Sequence, residues 1–392
     1  MSFTETTRTS WFSRLKSGLA GLLIGPLLVI GMIWLLSWNE GRSVQTYRAL
    51  AEGAGIVVSV DNGAIDPANE GKLVHISGPV KPDGTPEDPM FGITAEGAAG
   101  IKRKVEMFQW EQQSESKTET KLGGGEETVT TYSYKKTWRS SQVDSSDFKI
   151  PDGHQNPQMP FDNDRFTVAS ASIGAFTVDG EAVANLGEDS AVKLTPDVLA
   201  RVRAALGTEK PVNADGVTIY VSQNRQSPAI GDLRISFTRQ DVAQASFVGA
   251  QKAATLGEYT ASNGRSLFLS AAGSASSAEM FETAQSENTL ITWLIRIGGL
   301  VGMFIGFAMM LSILRIIADV IPFVGSIVGF GTSAIAAILT LLLGPLVIAI
   351  AWIAYRPLLA IAIIAVGALL AAATIYLRRN RTVAAPIPAP TT

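Results

Sequence analysis

The stretch 34-WLLSWNEGRSVQTYRALAEGAG-55 decides how the chain is to be read, because a hydrophobic run stops at Trp38 and Asn39, Glu40, Gly41 and Arg42 follow at once. Residues 17–39 carry no charge. An α-helix rises about 1.5 Å per residue, so ~30 Å of hydrocarbon needs about 20 apolar residues, and residues 18–38 supply them. A cleaved export signal has a shorter apolar core and ends in a small-x-small cleavage site. Here the polar WNEGR follows directly, so the stretch predicts a permanent anchor with something attached to its far side. Trp34 and Trp38 suit the membrane interface, where an aromatic ring is half wet.

The rest of the chain fits an anchored protein. Of 392 residues, 46% are hydrophobic and 17% charged, the balance of a membrane protein with a sizeable soluble part. Three further runs, 297–314, 320–355 and 357–377, lack charge altogether. They predict a second span over 290–314, a third over 324–355 that tilts or kinks at Pro345, and a fourth over 357–377 after the short turn 355-YRP-357. A net charge of −3 points to no nucleic-acid partner, and the absence of cysteine excludes disulfides and thiolate metal sites.

Basic flanks set the expected sidedness. Arg8, Arg14 and Lys16 precede the first span, Arg315 follows the second, and Arg378, Arg379 and Arg381 follow the fourth. Four spans place all three flanks on the cytoplasmic side. The expected order is a cytoplasmic N-terminus (1–17), span one (18–38), an extracytoplasmic domain (39–289), span two (290–314), a cytoplasmic loop (315–323), span three (324–355), span four (357–377) and a cytoplasmic tail (378–392). The fold class is α+β: four transmembrane helices with a large β-rich domain between the first two.

Small residues recur at one-turn spacing in the spans: Gly21 and Gly25, then Gly298, Gly302 and Gly306, then Gly325 and Gly329. Glycine lets helix backbones approach closely, so these faces predict helix packing within or between copies. Arg296 is the ionisable residue inside a span. It either snorkels to the outer interface or pairs with Glu40, which leaves span one on the same side.

The domain reads mainly as strands. A β-branched run, 55-GIVVSVDNG-63, ends in an Asn-Gly turn, and 71-GKLVHISGPV-80 follows. The clearest unit is a long hairpin, 103–113 with 128–140, whose tip SESKTETKLGGGEE reads as mobile. Glu106, Phe108 and Trp110 share one face by period two, as do Tyr132, Tyr134 and Trp138. Later strands fall at 217–223, 232–240, 244–251 and 265–272. One helix starts with Thr195 and Pro196 and ends at Gly207; another starts in a Ser276/Glu279 capping box and runs into span two. A faint echo between 71-GKLVHISG-78 and 231-GDLRISFT-238 hints at related strand layouts.

Several stretches together resemble the LUMA family, the transmembrane protein 43 family: 38-WNEGRSVQTYRALAEG-53, 69-NEGKLVHISG-78, 104-KVEMFQWEQ-112, 132-YSYKKTWRS-140, 153-GHQNP-157, 231-GDLRISF-237 and 352-WIAYRPL-358. They occur in family order along nearly the whole chain. The hairpin tip, the region 170–215 and the tail after Arg381 depart from the pattern. The resemblance implies four spans, a large extracytoplasmic domain and a short cytosolic tail, and it brings no catalytic residues. Animal members lie in the endoplasmic reticulum and inner nuclear membrane and are thought to organise membrane-protein complexes. Alanine- and glycine-rich spans without cysteine suit a bacterial homologue, whose domain would be periplasmic.

The residues offer little for chemistry. His75 and His154 are too far apart in sequence to mark a metal site, and no cofactor motif appears. His75 alternates with Leu73 and Ser77 in a strand, and His154 lies in a turn where its ring can bond backbone groups. There is no G-x-S-x-G elbow, 121-KLGGGEE-127 lacks the setting of a phosphate loop, and 161-FDNDRF-166 lacks the spacing of a calcium loop. The function expected is a non-enzymatic scaffold that organises membrane-protein assemblies, with the lipid bilayer, membrane proteins and further copies of itself as partners. An extracytoplasmic enzyme or a transporter component is the alternative.

Overall fold

A computed structural model describes residues 2–207, 210–355 and 369. The expected fourth span and the tail lie outside these residues, apart from Leu369. The chain divides into two compact units. One holds residues 1–8, 48–119 and 126–286; the other holds 9–47, 120–125 and 287–392. The helices are α1 (Trp11–Ile56), α2 (Gly180–Ala184), α3 (Pro196–Leu206), α4 (Ser277–Ala318) and α5 (Pro322–Tyr355).

α1, α4 and α5 are each long and apolar enough to cross a membrane. The chain is thus an α+β membrane protein with three such helices among the described residues. α1 does not end where its apolar run ends: the helix continues through WNEGR to Ile56. The strand expected over 55–63 is consequently reduced to Val58–Ser59. α4 begins in the expected box: the backbone N–H of Ser276 donates to the Glu279 carboxylate (2.8 Å), and Glu279 N–H donates to Ser276 Oγ (3.3 Å). α3 starts at Pro196 after Thr195, although Thr195 makes no side-chain cap bond, and Gly207 closes it in the left-handed region at φ 54°.

Among the described residues the β-rich unit contains two large sheets and two two-stranded ones. The first follows the order Ser2–Thr9, Glu126–Arg139, Gly100–Thr120, Leu233–Asp241, Thr218–Val221, Val212–Ala214, with Glu188–Ala191 added to Leu233–Asp241 and Asp164–Thr167 to Gly100–Thr120. Period-two alternation builds its core. Ile101, Val105 and Met107 face Leu233, Ile235 and Phe237, and α3 covers them with Val198, Leu199 and Val202.

The second sheet closes on itself. Leu73–Asp83 pairs Gln244–Lys252 on one side and Ser170–Ile173 on the other; Phe176–Asp179 and Thr255–Gly257 complete the ring. Closure removes the open edges of those five strands and encloses Val74, Ile76, Ile173, Phe176 and Phe247. Outside the ring, Ala49 and Leu50 of α1 and Met280 and Phe281 of α4 pack with Leu73 and Val248. The echoed segments 71–78 and 231–238 fall in different sheets with different neighbours, so no duplication is evident.

A strand over Ser2–Thr9, ahead of α1, has no counterpart in the sequence reading. It pairs with Glu126–Arg139, and Arg8 bonds Glu127 while Glu5 meets Lys149. The basic flanks place residues 2–9 and the domain on opposite sides of the bilayer. Hydrogen-bonded neighbours in one sheet share one environment, so this sheet lends that sidedness no support.

Candidate functional site

The helical unit is organised around two buried ion pairs. The first is the one that residues 40 and 296 allow. Arg296 donates from Nε and Nη2 to the two Glu40 oxygens, both at 2.7 Å, and Glu40 is 2% exposed. Trp352 Nε1 of α5 donates to Glu40 Oε2 at 2.8 Å, so one carboxylate ties three helices. The Arg296 guanidinium lies over the Trp293 ring at 4.8 Å and the Trp352 ring at 5.9 Å. The snorkelling alternative is not adopted.

The pair continues into a polar seam. Asn39 donates to Thr292 O (3.1 Å), and Arg42 donates to Asn288 Oδ1, Asn39 Oδ1 and Thr292 Oγ1. Asn288 donates back to Ser43 O (3.1 Å). Gly41 touches Tyr355; a β-carbon at residue 41 would stand 2.6 Å from the ring. Thus WNEGR and 352-WIAY-355, distant in sequence, meet at one point of the bundle. Trp352, Asn288 and Thr292 have no sequence signal as partners, since nothing in a single chain says which helices will touch.

The second pair was not legible. Arg14 Nη2 donates to Asp319 Oδ2 at 2.5 Å, and both side chains are buried. Arg14 Nη1 donates to Gly124 O (2.6 Å), and Trp11 Nε1 to Ile316 O (2.8 Å). The backbone N–H of Gly123 donates to Val320 O (3.1 Å). The hairpin tip expected to be mobile is therefore held, with Gly123 and Gly124 at positive φ against the start of α1 and the end of α4. A side chain at residue 124 would overlap the Trp11 ring. From Arg14 to Glu40 along α1 is roughly 39 Å at 1.5 Å per residue, about 9 Å more than the ~30 Å hydrocarbon thickness.

Between the two pairs the glycines do what small residues do. A β-carbon at residue 25 would stand 2.6 Å from Gly306 O, one at residue 21 would stand 3.0 Å from Met309 O, and one at residue 302 would stand 2.5 Å from Met32 Sδ. These join α1 to α4 inside one chain. Gly298 meets nothing within 4 Å, and Gly299 takes its place against Leu36. Gly325 and Gly329 accommodate Asp319 and Arg315 at the α4–α5 turn. Val29, Leu36, Met303 and Val347 fill the space between the helices.

In the β-rich unit the hairpin aromatics are half-buried. Phe108 packs on Trp138 at 5.3 Å, and Tyr132 stacks on Phe3 at 6.3 Å. His154 stacks on Tyr134 (4.0 Å), meets Trp110 edge-on (4.7 Å) and shares Nδ1 with Ile150 O (3.1 Å). Asn156 imitates a strand: Oδ1 accepts from Trp110 N at 2.7 Å, and Nδ2 donates to Trp110 O at 3.0 Å. GHQNP thus secures the hairpin base. His75 bonds Ser59 Oγ and Ala275 O. In 161-FDNDRF-166, Asn163 accepts from Val105 N and Asp164 approaches Arg103, whose main partner is the buried Asp88 (2.7 Å). Among the described residues no cluster of three or more His, Asp or Glu is placed to hold a metal ion.

Glu106 is a half-buried carboxylate of this unit whose pKa is perturbed. Burial raises its pKa, but the Arg234 hydrogen bonds directly across the strand and Lys104 beside it outweigh that, leaving it below the usual value.

Comparison with known proteins agrees with this architecture. A family model described as transmembrane protein 43 matches residues 107–357. Transmembrane protein 43 of Mus musculus is 30% identical over 373 residues, 91% of this chain and 89% of that protein. The Homo sapiens protein is 31% identical over 373 residues, with 91% and 90% covered. The Drosophila melanogaster homolog is 28% identical over 382 residues, with 94% and 95% covered. No solved structure matches the chain. With a family model spanning more than half its length and relatives aligned nearly end to end, the chain belongs to the transmembrane protein 43 family.

Proposed function

We propose that the protein is a non-enzymatic integral membrane scaffold that organises membrane-protein assemblies and associates with copies of itself. The observation that carries this reading is how the buried charges are used. Glu40, Arg296, Arg14 and Asp319 are paired with one another across helices, and Trp352 and the Arg42 seam complete one pair. Groups that serve transport or catalysis face a cavity or a substrate; these face each other and fix a frame. The frame then offers lipid-facing apolar surface, including Leu23, Leu27 and Ile30 of α1 and Ile327 and Phe330 of α5, for contact with neighbouring spans.

The test is extraction of the full chain in native-lipid particles, followed by measurement of particle mass and identification of co-purified proteins. A scaffold gives particles heavier than one chain, with itself or other membrane proteins present. Particles holding one copy and no other protein would end this reading. The orientation expected from the basic flanks, with the β-rich domain extracytoplasmic and the ends cytoplasmic, is carried as part of the proposal. Labelling of single cysteines at residues 152 and 117 from either side of the membrane checks it.

A further inference from the structure

Three adjacent strands are not explained by either core: Ser2–Thr9, Glu126–Arg139 and the outer part of Gly100–Thr120. Backbone pairing on the Leu233–Asp241 side of Gly100–Thr120 stops at Phe108, which bonds Gly231 and Asp232, and past the Asn156 contacts at Trp110 no described strand covers that edge. Every side chain from Gln113 to Glu119 is exposed. On the far side of the ribbon, Ser2–Thr9 is the terminal strand of its sheet and is also largely exposed. The ribbon therefore has two open backbone edges and two polar faces. Open edges template pairing with another strand, and a ribbon without a buried face is marginal by itself.

The two edges match each other. Thr4–Thr131 and Arg8–Glu127 contacts set the register on one side of Glu126–Arg139, and Ser116–Thr130 and Thr118–Thr128 set it on the other. Thr4, Thr6 and Arg8 thus stand level with Glu115, Lys117 and Glu119, and the two edge strands run in the same direction. Symmetric pairing centred on Lys117 is disfavoured by charge. Folding the 113–119 edge antiparallel on its own copy about Lys117 sets Lys117 against Lys117 and Glu115 against Glu119; like charges directly opposite destabilise a sheet. Joining the two different edges sets Arg8, already bonded to Glu127, beside Glu119 and brings no like charges opposite one another.

We propose that the outer edge of Ser2–Thr9 in one copy adds, in parallel, to the 112–120 edge of a second copy, so that the sheet continues from chain to chain. This rests on the self-associating scaffold reading and names its surface. Such an interface is head-to-tail, which makes a ring where the rotation between copies closes and an open row of copies where it does not.

The chain has no cysteine, so introduced thiols report cleanly. Thr6→Cys and Lys117→Cys lie two strands apart within one copy, roughly 9–10 Å, too far for a disulfide, but are neighbours across the proposed junction. Copies carrying only T6C are co-expressed with copies carrying only K117C, and the membranes are oxidised. A cross-linked dimer is expected from the mixture and a ladder from the doubly substituted chain, with either single variant alone staying monomeric on a denaturing gel. Thr4→Cys with Glu115→Cys repeats the test one register step away. Cross-linking of T6C or K117C with itself, at the level of the mixture, overturns the proposal in favour of a symmetric junction. Multi-copy particles without either cross-link overturn the ribbon junction and leave self-association standing; particles of single-chain mass overturn both.

Discussion

Glu40 shows how much one side chain can carry. It is buried, accepts from Arg296 twice and from Trp352 once, and thereby touches α1, α4 and α5. Removing one partner of a buried ion pair strands the other in low dielectric, at a cost of about 3–5 kcal/mol. Arg296→Glu should therefore lower the melting temperature of the detergent-solubilised protein sharply, and Glu40→Arg combined with Arg296→Glu should recover most of the loss. Absence of recovery would mean that the pair is not the source of the stability. Glu106 makes a pH prediction. Its folded pKa lies below the unfolded value, so Arg234 and Lys104 contribute stability that is present above the ordinary glutamate range and is lost as pH falls through the folded pKa. Titration followed by NMR should place the Glu106 midpoint below about 4.3, the free value, and Arg234→Met should raise it.

At the scale of elements, the glycines divide sharply by neighbour. Gly25→Leu places atoms into Met310 and the Gly306 carbonyl and should destabilise the solubilised protein by about 1–3 kcal/mol or more, as overpacking does. Gly298→Leu meets open space, and its thermal midpoint should stay near that of the unsubstituted chain; a large loss at residue 298 would contradict the α1–α4 register. Much of this level was legible in the sequence. Charge-free runs marked the three described spans, the Ser276 box marked the start of α4, and period-two alternation marked Gly100–Thr120 and Glu126–Arg139. The misses have physical causes. α1 runs past WNEGR because Asn39, Glu40, Arg42 and Ser43 find partners on α4, so a polar sequence stays helical. Ser2–Thr9 is polar and non-periodic, and only its partner strand makes it a strand. Arg14 and Asp319 each read as loop or flank charges until the fold brings them together.

Across the bundle the two ion pairs are independent fixings. They share no residue and are separated by more than 30 Å along α1, so their effects on stability should add. The denaturation free energies of Glu40→Gln, Asp319→Asn and the double variant test this; a double variant departing from the sum by more than about 1 kcal/mol would show that the ends are coupled through the helices between. The candidate site was only partly visible beforehand. Residues 40 and 296 could be matched because the spans expected from the sequence put both at one interface, whereas the seam through Trp352 depends on where α5 lies. Function is legible in a similar proportion: membership of the family follows from several short stretches in order, whereas the proposed junction between copies rests on strands whose edges remain open.

The spacing of those two fixings bears on where in a cell the protein can rest. A hydrophobic segment bounded at each end by a buried charge cannot shorten by letting lipid creep past Arg14 or Glu40, because the charges would be wetted by hydrocarbon. Nor can it tilt freely, because each end is tied to a second helix. The cost of mismatch then falls on the lipid, at fractions of a kcal/mol per Å. Such a bundle should act as a gauge of bilayer thickness, least strained where the hydrocarbon depth matches its own.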